Sequence, residues 1–181
     1  MTPGDKVILR AGATGDLPAL VAIYNHYIAH SAATFDTEPY EVADRAAWMA
    51  QFGVSGPWRL IVAVCGEEIS GYACSGPFRP KLAYRTSVET SVYLLPHRCG
   101  LGLGRRLMEA LLSELESAPV HRAYALITEP NVPSEHLHAT LGYRPVGRLS
   151  EAGRKFATWH SVGIWERTFA EPLAQPLSRS T

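Results

Sequence analysis

A chain of 181 residues with 46% hydrophobic side chains is ample for one core and short for two domains. Its 17 basic and 17 acidic residues cancel, which removes any global argument for a nucleic-acid or membrane surface and means that a charged ligand must be gripped locally. Three cysteines without close pairing (Cys65, Cys74, Cys99), no apolar run of roughly 18 residues and no signal-peptide core in MTPGDKVILR suit free thiols in a soluble, cytoplasmic protein.

KVILRAG predicts a first strand, and Leu17, Leu20, Val21, Tyr24 and Ile28 then recur at helical spacing, with Thr14 or Asp16 placed to cap. The following stretch, AHSAATFDTEPYEVADRAAWMAQFGVSGPW, mixes turn residues with a second helix around 44–52 and is a natural mouth for a substrate. RLIVAVC and EISGYACSG flank a turn at Gly66 and Glu67, so they predict an antiparallel hairpin, and TSVETSVYLL continues the sheet. On that third strand Val88, Thr90, Val92 and Leu94 share one face while Glu89, Ser91, Tyr93 and Leu95 share the other.

Leu103, Leu107, Leu111 and Leu115 predict a helix from Gly102 onward. Arg105 and Arg106 stand in its first turn, where a cation opposes the helix dipole unless an anion is bound. RAYALIT predicts a buried strand; EPNVPSEHLHATLGY predicts a loop, a short helix capped by Ser134 and a stop at Gly142. PVGRLSEAGRKFATWHSVGIWERTF alternates like a closing hairpin, and AEPLAQPLSRST has the composition of a frayed tail. One domain over 1–170 with a tail over 171–181 is expected. The order of elements implies an α/β chain in the loose sense (α+β), with a mixed, mostly antiparallel sheet and helices on both faces.

The glycine-rich stretch LLPHRCGLGLGRRLMEALL tests three nucleotide-binding readings. A GxGxxG fingerprint begun at Gly100 or Gly102 needs its third glycine where Arg105 or Leu107 stands, and a P-loop needs Lys and Ser or Thr after Gly104. Both fail. What remains is a strand running into a bare-backbone turn and a helix N-terminus, able to wrap a phosphate, or else an ordinary turn into a core helix. His121, His136, His138 and His160 give no zinc spacing with the cysteines, so no metal is expected.

Taken with its neighbours the stretch resembles one family. NHYIAHSAATFDTEP, SVETSVYLLPHRCGLGLG, EPNVPSEHLHATLGYRPVG and WHSVGIW keep the order and spacing of the GNAT superfamily of N-acetyltransferases, and within it the phosphinothricin acetyltransferase-like family. The resemblance implies the single-domain GNAT fold and acetyl-CoA as co-substrate, held by Val92, Tyr93 and Leu94 on the strand and by Arg98, Cys99, Gly100, Leu101, Gly102, Leu103, Gly104 and Arg105 in the loop. Cys99 departs from the Gln or Arg that the family usually carries there. Asn131 and Ser134 are implied as further contacts to the pantetheine arm.

Acetylating an amine requires its deprotonation, and the resemblance assigns the general base to Glu89, with a β-strand amide near Val92 to Leu94 facing the developing oxyanion. It also places His138 at the site, as an acid for the departing thiolate, with Tyr143 as a rival. Phe35, Arg79, Lys81 and Tyr84 match positions near the acceptor, and two cations suit an acidic amino acid. Lys155, Trp159 and His160 belong to a hairpin that borders the site in this family and helps form a homodimer. The expected reaction is acetylation of the α-amino group of phosphinothricin, methionine sulfoximine or methionine sulfone, with no nucleic-acid or membrane partner. The alternatives are another amine (a polyamine, an aminoglycoside or a protein N-terminus) and a non-catalytic acetyl-CoA sensor.

Overall fold

The computed structural model describes residues 6–169, so the expected tail at 171–181 lies outside the described residues. In chain order the elements are β1 (Val7–Ala11), α1 (Leu17–His30), α2 (Ala46–Ala50), β2 (Leu60–Cys65), β3 (Glu68–Pro77), β4 (Ser87–Leu94), α3 (Leu103–Glu116), β5 (Arg122–Glu129), α4 (Val132–Thr140), β6 (Arg144–Lys155) and β7 (Thr158–Thr168). The strands form one sheet in the order β1-β2-β3-β4-β5-β7-β6. Every pairing is antiparallel except β4 with β5. That exception follows from connectivity, because the segment between β4 and β5 contains α3, and a helical crossover returns the chain in the same direction.

Alternation along the strands divides the apolar residues between two layers. Ile61, Ala63, Ala73, Val88, Ala123, Ala125 and Ile127 point to the α3 side, where Leu103, Leu107, Leu111 and Leu115 complete the packing. Leu60, Val62 and Tyr72 point the other way and meet Leu17, Leu20, Val21 and Ile23 of α1 and Met49 of α2. The four α3 leucines are at most 5% exposed, and burying each contributes about 1.5–3 kcal/mol. Helices therefore lie on both faces, and the antiparallel, mixed sheet expected from the sequence is the one found.

Three local expectations change. The α-helix in the second helical region covers only Ala46–Ala50, preceded by a tighter turn at Val42–Arg45. Asp16 does not cap α1 through its side chain; its carboxylate accepts from the Ala13 amide (2.7 Å) and pairs with Arg10 (2.6 Å), bracing the turn before the helix. Ser134 is not the cap of α4. Asn131 is, its side-chain oxygen accepting from the Ser134 amide at 3.2 Å. The helix starts two residues before Ser134 because Pro133 lies in the first turn, where its missing N–H is not needed.

Candidate active site

β4 and β5 pair only at Ser87 with Arg122, Val88 with Ala123 and Glu89 with Tyr124. Beyond that rung they part, and the opening between them is a cavity of about 640 Å³ lined by Thr90 to Leu94 on one side and Ala125 to Thr128 on the other. Thr90 sits at the point of separation. Its hydroxyl donates to the Tyr124 carbonyl (3.2 Å) and accepts from the buried Tyr143 hydroxyl (2.8 Å), so one side chain ties the two strands together where their ladder ends.

At the far end of β4 the chain turns through Pro96–Arg98 and enters the glycine stretch. Gly100 and Gly102 have φ of 74° and 76°, the left-handed region in which a Cβ is disfavoured. The first helical hydrogen bond of α3 runs from the Arg106 amide to the Gly102 carbonyl. Among the described residues the amides from Gly100 to Arg105 therefore have no acceptor in the protein. These donors, at the start of a 14-residue helix, are placed to receive an anion such as a diphosphate.

The structure separates the loop residues by role. Cys99, Gly100, Gly102, Gly104 and Arg105 line the cavity, as do Val92, Tyr93 and Leu94. Leu103 is buried in the core and Leu101 is exposed, and neither side chain lines the cavity. The Arg98 guanidinium lies on Glu68 of β3 (3.1 Å) rather than on the cavity wall. Arg106 donates to the Val7 carbonyl. Arg105, paired with Glu109 at 2.7 Å, is the loop arginine at the cavity. The Cys99 thiol is exposed and lies 3.8 Å from the Tyr27 hydroxyl, which itself donates to the Leu94 carbonyl at 2.8 Å. Tyr27 went unnoticed in the sequence although it stands three residues after Tyr24 on α1.

Asn131, Ser134 and His138 line the opposite wall. The His138 Nδ1 is 2.8 Å from the Ser134 carbonyl; a carbonyl only accepts, so Nδ1 carries the hydrogen and Nε2 is left as a bare acceptor. Nε2 is buried with no partner in the protein. Burial lowers the imidazole pKa, with the Ser134 carbonyl opposing, so the ring is neutral. Tyr143 keeps its proton, since burial pushes its hydroxyl up to about 12, but donates it to Thr90.

Glu89 occupies the last paired rung, on the opposite face of β4 from Thr90. Its cross-strand neighbours are Gly76, which leaves open space, and Tyr124. Burial raises the Glu89 pKa while the Arg79 guanidinium pulls it down. The Phe78 ring stacks on Tyr124 (4.1 Å) with Tyr84 at its edge, and Arg79 lies 4.7 Å over Phe78. Arg79 and Tyr84 are thereby gathered near Glu89, and Lys81 is exposed on the same turn. Phe35 lies elsewhere, against the β6–β7 hairpin, while Ser31 and Ala33 from its segment border the cavity. Phe78, Tyr124 and Thr90 escaped the sequence reading; the available signal for Thr90 was a lone hydroxyl on an otherwise apolar strand face. Among the described residues no group of three or more His, Cys, Asp or Glu could hold a metal ion.

Comparison with known proteins gives the family. The model of the acetyltransferase (GNAT) family matches residues 20–143. The chain is 45% identical over 164 residues to a phosphinothricin N-acetyltransferase of Streptomyces coelicolor, covering 90% of this chain and 96% of that protein. It is 33% identical over 151 residues to an L-methionine sulfoximine/L-methionine sulfone acetyltransferase of Pseudomonas aeruginosa, covering 83% and 88%. A phosphinothricin acetyltransferase from Sinorhizobium meliloti, solved in complex with acetyl-CoA, superposes with a TM-score of 0.88 at 26% identity, covering 96% and 94%.

Proposed function

The chain belongs to the acetyltransferase (GNAT) family and is an acetyl-CoA-dependent N-acetyltransferase, and from that premise we propose that its acceptor is the α-amino group of a small amino acid of the phosphinothricin, methionine sulfoximine or methionine sulfone type. The observation that carries the reading is the run of unpartnered amides from Gly100 to Arg105 at one end of β4 with Glu89 towards the other. In this reading one strand spans both ends of a direct transfer. The relatives' names support an amino-acid acceptor. Arg79 beside Glu89 favours an acceptor with an acidic group and disfavours a polyamine or aminoglycoside.

In this reading Glu89, directly or through a water, takes a proton from the acceptor ammonium, and the freed nitrogen lone pair forms the new bond to the thioester carbonyl carbon. Backbone N–H groups of β4 beyond Glu89, no longer engaged by β5, face the negative charge that builds on the thioester oxygen. The carbon–sulfur bond then breaks, the sulfur leaves with its electron pair, and the nitrogen, cationic after the attack, gives its second proton to solvent. His138 holds no proton on Nε2, so it accepts a hydrogen bond from the pantetheine arm, and the thiolate is protonated by solvent. The diphosphate is held by the loop amides with Arg105 alongside, and Asn131 and Ser134 border the arm. A homodimer through the β6–β7 hairpin completes the proposal, supported by the exposed Val146, Leu149, Phe156 and Trp159 on that hairpin.

The test is CoA-thiol release from acetyl-CoA with phosphinothricin, methionine sulfoximine, methionine sulfone, a polyamine and an aminoglycoside. Turnover confined to the first three supports the assignment. Turnover of the polyamine or aminoglycoside alone overturns it.

A further inference from the structure

Lys155, at the end of β6, is the only lysine or arginine buried among the described residues, at 5% exposure. A buried ammonium is costly unless it is engaged. Its Nζ donates to the Thr34 carbonyl at 2.8 Å, across 121 residues of sequence, and Asp36 acts on it electrostatically. Two residues earlier on the same strand face, Gly153 lies against the Phe35 ring, so that a Cβ there would overlap the ring. The segment so clasped is the one whose Ser31 and Ala33 line the cavity.

From the helix side the same segment is held by a closed set of hydrogen bonds. The Thr34 hydroxyl donates to the Tyr24 hydroxyl (2.7 Å), Tyr24 donates to the Asp36 carboxylate (2.7 Å), and the Asp36 amide returns to the Thr34 hydroxyl (3.2 Å). Tyr24 is in edge contact with Tyr93 (5.1 Å), and Asp36 and Glu89 both act electrostatically on Tyr93. The clasped segment is thus one ring away from the strand that carries the proposed base.

We infer that the β6–β7 hairpin is the second anchor of the acceptor mouth, with Lys155 and Gly153 as positioning residues that fix Thr34 to Asp36 and, through Phe35, set acceptor affinity. The inference rests on the amino-acid acceptor proposed above. Neither residue lines the cavity, and the diphosphate cradle is built from the glycine loop and the start of α3, so the acetyl-CoA KM should change far less than the acceptor KM.

The experiment compares wild type, Lys155→Met and Gly153→Ala in steady-state kinetics with methionine sulfone as acceptor, alongside hydrogen exchange over residues 31–36. Loss of a hydrogen bond from a charged donor is expected to raise the acceptor KM about tenfold, with kcat and the acetyl-CoA KM within twofold of wild type and faster exchange confined to 31–36. Gly153→Ala acts through the Phe35 ring and leaves Lys155 in place, so it serves if Lys155→Met fails to fold. Faster exchange with an unchanged acceptor KM, or a rise in the KM of acetyl-CoA as well, overturns the positioning role. Unchanged exchange in both variants overturns the anchor itself. Should wild type acetylate no amino acid, the acceptor assignment fails and exchange alone decides the anchor.

Discussion

Replacing Glu89 by Gln keeps the shape of the side chain and removes its ability to take a proton. A positioned general base contributes about 10²- to 10⁴-fold, or about 3–5 kcal/mol of barrier, so kcat/KM for methionine sulfone at pH 7 should fall by that factor. Stability should not. Burial holds the Glu89 pKa above its ordinary 4.5, so the folded state binds this proton more tightly than the unfolded chain, and ionisation destabilises the fold as pH rises through that raised range. At neutral pH the wild type bears this cost and Gln does not. Glu89→Gln should therefore be at least as stable as wild type in a urea titration, which separates lost chemistry from lost structure.

The pH profile sharpens the same argument. If the ionised Glu89 is the base, kcat/KM falls as pH drops through its raised pKa, and the acid limb lies above the ordinary carboxylate range. Arg79 opposes the rise, so Arg79→Met should move that limb to still higher pH. The position of the limb is the readout, because Arg79→Met also weakens any contact with an acceptor carboxylate and lowers the whole curve. CoA release followed from pH 5 to 9 measures both. Glu89→Gln within twofold of wild type, or an acid limb that persists in Glu89→Gln, would refute the assignment.

Further outcomes follow from the loop and the wall opposite. Gly102→Ala forces an L side chain to φ 76°, costing about 1–2 kcal/mol, and should weaken acetyl-CoA binding by calorimetry although a Cβ there meets nothing within 4 Å. Gly104→Ala, inside α3 with its added Cβ 3.5 Å from Leu94, should melt at or above the wild-type temperature because alanine is the better helix former by up to about 1 kcal/mol. His138 has its pKa lowered from 6.5 by burial, so the unfolded chain binds its proton first and stability is lost as pH falls below 6.5; His138→Asn should flatten that part of the pH–stability curve measured by denaturant. Thr90→Val preserves shape but leaves the Tyr143 hydroxyl buried and unpaired, and should cost about 1–3 kcal/mol in the same titration.

Features set by residues near one another in the chain were legible in the sequence. The four α3 leucines, the alternation of β4, the turn at Gly66 and the closing hairpin all depend on periodicity or turn chemistry, and each is found. The site was less legible where partners come from far away. Arg98 stands beside the glycines in the chain, but its guanidinium meets Glu68 of β3, thirty residues away in sequence. Phe78 and Tyr124 meet only because β3, β4 and β5 are neighbours. Asn131 and not Ser134 caps α4, because either can cap a helix and only the backbone around Pro133 decides which one does.

β4 links these observations, because it is paired and unpaired along a single run of residues. Up to Glu89 it belongs to a continuous sheet, and from Thr90 its β5-facing edge is open to a ligand. Antiparallel pairing with β3 persists from Val88 to Leu94, so the open edge stays rigid although one partner is gone. Val92 and Leu94 pack down onto the α3 layer while Tyr93 packs onto the α1 layer, which fixes the strand from both faces. A strand held on three sides and free on the fourth presents its amides at set positions, and Glu89, the proposed base, lies one residue before the opening. With Glu89 as the proposed base, the distance between proton removal and acetyl transfer would be set by the pitch of one β-strand and not by the relative motion of two elements.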